Sequence, residues 1–198
     1  MGFYPENPNL GQHIQSNIPG VNPDMAFLAH FQVSAVNAVA ADQVSVLAAT
    51  ALTAAGQNIV AAITNPRVPR NIGIIGNAVG IAGNVVIHGT NYNNEVITET
   101  IALNGNVAVN GAKAFKTVTQ IDLPIQTHAG TDTVSVGFGD SLGLPFKLTH
   151  NTVLKTFLNN VLEATAPTVT VSPTAFETNT VDLNSALDGH VVDIYLIV

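Results

Sequence analysis

The sequence is divided into many short apolar runs by Gly, Asn and Pro, and this division restricts the folds available to the chain. Runs rich in Val, Ile and Thr recur along most of its length, with turn-forming residues between them. β-Branched residues favour strands, whereas Gly and Asn adopt the positive φ that tight turns need. Short strands joined in this way are typical of antiparallel sandwiches and barrels. The sequence therefore predicts an all-β fold, an antiparallel β-sandwich or barrel with an extended N-terminal arm.

The first residues differ in composition from the rest of the chain. They contain four prolines, which fix φ and remove backbone donors: Pro5, Pro8, Pro19 and Pro23. They also carry large apolar residues that a fully solvated tail does not need: Phe3, Tyr4, Leu10, Ile14 and Ile18. We predict an arm over residues 1–25, either a frayed terminus or a segment that lies on a neighbouring subunit. A β domain over residues 26–198 follows.

The segment from Met25 to Ile63 is rich in Ala and Val. Ala favours helices, but β-favouring residues and Gly56 interrupt residues 48–62, so we predict strands there. The segment Asn65–Arg70 follows and contains two prolines, Pro66 and Pro69, a spacing that no helix passes. It predicts a rigid connector and a candidate sub-boundary near residues 64–70.

Local patterns after this connector predict individual strands and turns. Asn-Gly pairs predict two tight turns with a very short strand between them, at Asn104-Gly105 and Asn110-Gly111. The other predicted elements are strands over residues 72–75, 84–88, 95–103 and 113–123, with a hairpin tip at residues 92–94.

The remaining strands are predicted from alternation. Asp132–Phe138 alternates, with Val134, Val136 and Phe138 on one side, and residues 168–172 repeat the pattern.

The C-terminal region is less uniform. Residues 152–163 match helical spacing, yet Asn159-Asn160 also suits a hairpin turn, so the sequence leaves both structures open. The last predicted strand, residues 190–198, is apolar on both faces. It should be a central strand covered on both sides or a strand buried at an interface.

Charged residues make up only 10% of the chain, against roughly 25% in ordinary soluble domains. Such a surface gains little from self-repulsion, which predicts that a partner covers part of it. All six Lys and Arg residues lie singly between Arg67 and Lys155 in a chain of net charge −7. Nucleic-acid binding needs clustered cations, so we predict none.

The sequence also argues against cysteine-based bonds or metal sites and against a signal peptide or membrane span. The chain has no Cys, which rules out disulfides and thiolate metal sites within it. The start of the sequence lacks the basic and apolar regions of a signal peptide. The most apolar stretch, residues 72–87, is too short and too rich in Gly for a membrane span. We therefore predict no membrane association.

The sequence Gly-Asp-Ser-Leu at Gly139–Leu142 resembles the nucleophile block of the GDSL esterases. In that family the Ser follows the first strand of an α/β fold, and an Asp-x-x-His near the C-terminus supplies the base. Here Ser141 lies mid-chain in a β-rich context, and the nearest arrangement, Asp188-Gly189-His190, has the wrong spacing. A Ser without a positioned base is a weak nucleophile. We predict that Asp140-Ser141 is a turn leaving a strand and that the chain has no catalytic residue.

Metal and cofactor sites are not predicted either. The histidines are spread without a ligand pair at metal-binding spacing: His13, His30, His88, His128, His150 and His190. The acidic residues Asp122, Asp132 and Asp140 do not form an EF-hand pattern. The glycines of residues 73–83 do not match a nucleotide-binding motif. We therefore predict a protein that is not an enzyme and binds neither metal nor cofactor.

An ordered series of motifs between Asn65 and Phe146 resembles a known module. It begins with Thr-Asn-Pro-Arg-Val-Pro-Arg-Asn-Ile and continues with Gly-Asn-Val-Val-Ile-His-Gly-Thr-Asn. Next come Glu-Val-Ile-Thr-Glu-Thr-Ile-Ala-Leu-Asn-Gly and Lys-Ala-Phe-Lys-Thr-Val-Thr-Gln-Ile-Asp-Leu-Pro, and the series closes with Asp-Thr-Val-Ser-Val-Gly-Phe-Gly-Asp-Ser-Leu-Gly-Leu-Pro. The series is similar to a β-rich module found in virion structural proteins of tailed bacteriophages.

This resemblance implies a virion component, made in the host cytoplasm, and the leading hypothesis is a capsid decoration or cement protein. Such a protein would bind the major capsid protein and copies of itself, as a homo-oligomer on the capsid surface, and stabilise the shell. The predicted arm, the uncharged surface and the apolar last strand agree with that role. The alternatives are a tail or baseplate structural protein, or a receptor- or glycan-binding module. A glycan-binding role is less favoured, because the chain has no Trp and only 6% aromatic residues.

Overall fold

The computed structural model describes residues 26–128 and 130–198, so the predicted arm over residues 1–25 lies outside it. The described residues form fourteen strands and one turn of 3-10 helix, Phe176–Thr178, with no α-helix among them. The strands are β1 Leu28–Val33, β2 Asp42–Ala51, β3 Gln57–Ile59, β4 Arg70–Gly76, β5 Asn84–Thr90, β6 Val96–Ala102, β7 Val109–Phe115, β8 Thr117–Leu123, β9 Thr133–Gly143, β10 Val153–Leu158, β11 Val161–Leu162, β12 Thr168–Thr170, β13 Thr180–Asp182 and β14 Val192–Ile197.

These strands form three sheets whose strand pairs are all antiparallel. The terminal sheet has the order β1-β14-β10-β11, and the hairpin sheet has the order β3-β8-β5-β6. The central sheet has the order β12-β13-β9-β4-β7, and β2 pairs with β9 as well. The predicted all-β fold with antiparallel sheets is therefore confirmed.

Strand β9 is the structural centre of the molecule. One of its edges pairs with β4 from Gly76 to Arg70. Its other edge pairs first with β2 and then, at Leu142 and Gly143, with β13. Because both edges of β9 are hydrogen-bonded along most of its length, this strand joins the two halves of the central sheet.

The larger of two hydrophobic cores lies between the central sheet and the hairpin sheet. Strands β2, β4 and β9 contribute one side of it, and β5, β6 and β8 contribute the other. Its most deeply buried side chains belong to β-branched or aromatic residues: Ile72, Ile74, Val85, Ile87, Phe115, Ile121, Val134 and Val136. The predicted alternation of Val134, Val136 and Phe138 is confirmed, since all three belong to this core.

A second core lies between the terminal sheet and the end of β9. The inward residues of β14, Val192, Ile194 and Leu196, are fully buried there. Leu142 of β9 and Val181 of β13 pack against them. The central position predicted for the apolar C-terminal segment is confirmed, because β14 lies between β1 and β10. The predicted cover on both sides is not, since Tyr195 and Ile197 on its other face are only partly buried among the described residues.

Most local predictions agree with the strand bounds. The favoured strands over residues 48–62 correspond to β2 and β3, and the connector before Arg70 contains no helix. Asn104-Gly105 forms a tight turn closed by a bridge between Asn104 and Val107, with Gly105 at φ 59°. The hairpin tip at residues 92–94 joins β5 to β6.

The open choice over residues 152–163 is settled in favour of a hairpin. Strands β10 and β11 pair across Asn159 and Asn160, which have φ 52° and 62°. Two successive residues at positive φ are what a two-residue type I′ hairpin needs, and Asn tolerates this conformation better than most residues.

The predicted turn at Asn110-Gly111 is wrong, because both residues lie inside β7. Gly111 lies close to the carboxylate of Glu99, which would have to move to make room for a Cβ at this position. The predicted strand over residues 113–123 is in fact two strands separated by Lys116. Strand β7 belongs to the central sheet and β8 to the hairpin sheet, so the chain must change sheets at this point.

The predicted turn at Asp140-Ser141 is also wrong, since β9 continues through both residues to Gly143. The strand continues because β4 and β13 provide backbone partners as far as Leu142 and Gly143. Asp140 and Ser141 lie between these pairs, where the pairing of β9 with β4 shifts register between Phe138 and Leu142.

Candidate interaction surface

Ser141 lies beside carboxylate and amide groups in the structure. Its backbone N–H donates to Asn71 Oδ1 over 3.2 Å. Burial raises the pKa of the Asp182 carboxyl above its ordinary value, and the Ser141 side chain and the charge of Arg70 partly offset this. No described histidine bonds to Ser141.

Arg70 is the side chain that organises this region. It is fully buried, and its guanidinium donates to Gly139 O over 2.6 Å and to Val39 O over 2.8 Å. It also pairs with Asp140 at 3.2 Å and lies 4.4 Å from the ring centroid of Phe138. Burial lowers the pKa of Arg70 to about 10, against the opposing effects of Asp140 and Asp182. Arg70 therefore remains charged at neutral pH and ties β4 to β9 and to the loop before β2.

The histidines, which have no metal-binding spacing in the sequence, lie mostly in pairs with aspartates in the structure. Four of the five described histidines each pair with one aspartate: His30 with Asp193 at 2.7 Å, and His88 with Asp122, His128 with Asp132 and His190 with Asp188 at 2.9 Å each. Sequence spacing did not reveal the first two pairs, because cross-strand contacts form them. Across residues 26–128 and 130–198, no three His, Asp or Glu side chains converge as a metal site.

A shallow cleft of about 490 Å³ opens beside the start of β2. Its wall is formed by both polar and apolar residues: Val39, Ala40, Ala41, Asp42, Ser45, Thr64, Asn65, Arg67 and Phe138. Arg67 already donates to Val36 O. The cleft has one carboxylate and one guanidinium in its wall, which does not identify a ligand class.

The strongest candidate for a binding surface is the face of the terminal sheet that points away from the second core. Side chains alternate across a strand, so burying Val192, Ile194 and Leu196 places the intervening residues of β14 on the opposite face. Cross-strand pairing then shows which residues of β1, β10 and β11 share this face with the residues of β14. This outer face consists of Leu28, His30, Gln32, Lys155, Phe157, Leu162, Asp193, Tyr195 and Ile197.

An ordered polar and aromatic group lies at the middle of this outer face. The His30 and Tyr195 rings are stacked, with centroids 4.6 Å apart, and Phe157 meets Tyr195 edge-on at 5.8 Å. His30 and Gln32 both bond to the same carboxylate oxygen of Asp193, each over 2.7 Å. These contacts hold the side chains in place before any partner arrives.

Apolar residues surround that group at the edges of the sheet. Leu28 on β1 is 64% exposed and Leu162 on β11 is 47% exposed, while Ile197 is half-buried. None of the nine residues of this face belongs to the second core, which packs against the opposite face of the sheet. Exposed apolar surface bordered by polar groups is typical of a protein interface.

The sequence indicated only part of this surface. It predicted a last strand apolar on both faces, but not β1, and therefore not the aromatic stack between His30 and Tyr195. The alternation of Leu28, His30 and Gln32 with Ala29, Phe31 and Val33 is the signal that identifies β1.

Comparison with known proteins does not assign this chain to a family: no family model matches it, and no curated protein or solved structure matches it significantly. Among the residues described here, none forms a helix with the length and hydropathy needed to cross a membrane.

Proposed function

We propose that this chain is a non-enzymatic structural component of a tailed-phage virion, most specifically a capsid decoration protein that binds the major capsid protein and reinforces the shell. The observation that carries the proposal is the outer face of the terminal sheet, where the exposed residues Leu28 and Leu162 border an ordered polar and aromatic group and offer a contact surface to another chain of an assembly. A β core holds that face rigid, and buried area together with backbone pairing at capsid junctions would supply the stabilisation.

The motif series between Asn65 and Phe146 also supports this role. It includes β4 to β9, and therefore most of the larger core and the whole hairpin sheet except β3. The resemblance to phage virion proteins thus concerns a structural framework of packed strands. The terminal sheet, which presents the candidate surface, comes from chain on both sides of that series.

The low charge of the chain is consistent with a surface that is covered in an assembly.

A glycan-binding role has less support, because one face of the Tyr195 ring is already stacked on His30. A sugar would need an open aromatic face.

Binding to shells tests the proposal directly. Capsids of the phage that encodes the chain, prepared without it, are mixed with the purified protein, and occupancy is measured by co-sedimentation and cryo-electron microscopy. We expect ordered density on the icosahedral shell. We also expect that deleting residues 1–24 leaves a folded protein that no longer occupies capsids.

Three results would contradict this assignment. Unchanged capsid occupancy after the deletion would remove the arm from the mechanism. Density confined to the tail or baseplate would favour a tail component instead. Saturable binding of a purified glycan by the isolated chain, without shell binding, would favour a recognition module.

A further inference from the structure

We propose that residues 1–25 of a second copy of this chain bind the outer face of the terminal sheet. The proposal goes beyond the virion role and does not depend on it, because self-association is a property of the purified chain alone. It assigns one occupant to the apolar face defined by Leu28, Phe157, Leu162, Tyr195 and Ile197.

The size of the face favours a single segment over a whole domain as its occupant. Three strands of six residues and one of two cover at most roughly 20 Å by 15 Å, or about 300 Å². A stable interface between two globular partners buries about 800 Å² on each side. Two copies pressed together through this face alone would fall short of that area. A segment that crosses the face and continues beyond it matches the available surface better.

The edge of the sheet offers the segment a second kind of contact. Strand β1 is an edge strand of the terminal sheet, paired on one side only with β14. The unpaired backbone groups of such a strand can accept an additional extended segment. Leu28 and His30 lie on this edge strand and on the outer face, so one segment can contact both.

The sequence of the first 25 residues suits this face in its apolar content. It carries large apolar residues at intervals: Phe3, Tyr4, Leu10, Ile14 and Ile18. Its charged side chains are acidic, Glu6 and Asp24. The outer face carries the exposed Lys155, while its carboxylate, Asp193, is already bonded to His30 and Gln32. The apolar content and the exposed Lys155 agree with contact between the two.

The position at which the chain enters the sheet favours a second copy as the source. Phe27 and Val198 exchange two backbone hydrogen bonds, of 2.8 and 2.9 Å, which extend the pairing of β1 with β14. Residues 1–25 therefore join the described chain at this end of the sheet, and to contact the face of its own chain the segment would have to turn back over that end.

The reach of the segment leads to the same conclusion. Leu10 lies seventeen residues before Phe27 in the sequence. Seventeen residues span at most roughly 50 Å, at about 3.1 Å per residue, which is more than twice the length of the face. The segment is therefore long enough to reach a neighbouring copy.

The test is the oligomeric state of the full chain and of two complementary variants, by sedimentation equilibrium over a wide concentration range. The full chain should self-associate as concentration rises. A chain lacking residues 1–24 keeps the face but has no segment, and Leu162→Asp keeps the segment but has a charged face. Each alone should be monomeric, and a mixture of the two should form a heterodimer.

Controls separate this mechanism from misfolding and from other contacts. Val96→Asp alters an 84% exposed valine of the hairpin sheet and should associate as the unmodified chain does. Circular dichroism checks that each variant folds, and Leu28→Asp replaces Leu162→Asp if the latter does not. A full chain that is monomeric at every concentration would overturn the proposal. So would two variants that fail to associate when mixed, or a deletion variant that still forms dimers.

Discussion

Arg70 shows how one residue can connect separate parts of this fold. Its guanidinium is buried beside Phe138, and it bonds to carbonyl groups of Gly139 and Val39 and to the carboxylate of Asp140. Removing a buried cation leaves its partners without hydrogen bonds and its counter-ion without a charge, which costs more than the ion pair itself contributes. The residue is thus important for stability through the groups that depend on it.

We expect Arg70→Met to lower the free energy of unfolding by about 3–5 kcal/mol, because Asp140 and two buried carbonyls lose their partner. Arg67→Met is the matched control. Arg67 is exposed and makes one bond, to Val36 O, so its loss should cost no more than about 0.5 kcal/mol. Urea unfolding of both variants gives the comparison, and equal losses would contradict the role assigned to Arg70.

At the scale of single elements, β9 depends on residues without side chains. At Gly137 a Cβ would overlap the carbonyl oxygen of Asp42, so β2 can approach β9 only because this residue is glycine. Gly139 is similar, since the Asn71 amide occupies the space that its Cβ would need. Glycine is usually unfavourable within a strand, and here it permits the packing of the central sheet.

We expect Gly137→Ala to destabilise the protein by about 1–3 kcal/mol, since the added methyl group forces β2 away from β9. Gly56→Ala is a suitable control. The nearest atom to a Cβ there would be the Leu123 carbonyl oxygen at 3.5 Å, an ordinary contact. That variant should show no loss of stability in thermal unfolding. A Gly137→Ala chain as stable as the Gly56→Ala chain would show that the close approach is not required.

At the scale of the whole molecule, β9 belongs to both cores. Val134, Val136 and Phe138 pack in the larger core, and Leu142 packs in the second. Two cores that share one continuous strand are expected to unfold together, because opening either one removes partners from β9.

Leu142→Ala tests this coupling. It should lower the free energy of unfolding by about 2–5 kcal/mol, since a fully buried leucine leaves a cavity. Native-state hydrogen exchange should then show the same loss of protection for amides of β5, in the hairpin sheet, as for amides of β14. A loss restricted to β14 would mean that the second core opens independently.

The local sequence was sufficient for the class of fold and for several turns. Alternating β-branched runs predicted strands because side chains on a strand alternate between two faces. Asn104-Gly105 predicted a turn because its residues favour the conformation that the turn needs. Such signals act over a few residues, so they need no knowledge of the rest of the chain.

Only the tertiary structure decided the role of residues whose partners are distant in sequence. Asn110-Gly111 and Asp140-Ser141 have the composition of turns, yet they lie within β7 and β9, beside register shifts in the pairing of these strands with β4. The pairing of His30 with Asp193 spans 163 residues, and the contact of Arg70 with Asp140 spans 70. The outer face of the terminal sheet likewise exists only once β1, from near the start of the described chain, pairs with β14 at its end. Long-range pairing determines which face is buried, and local sequence does not contain that information.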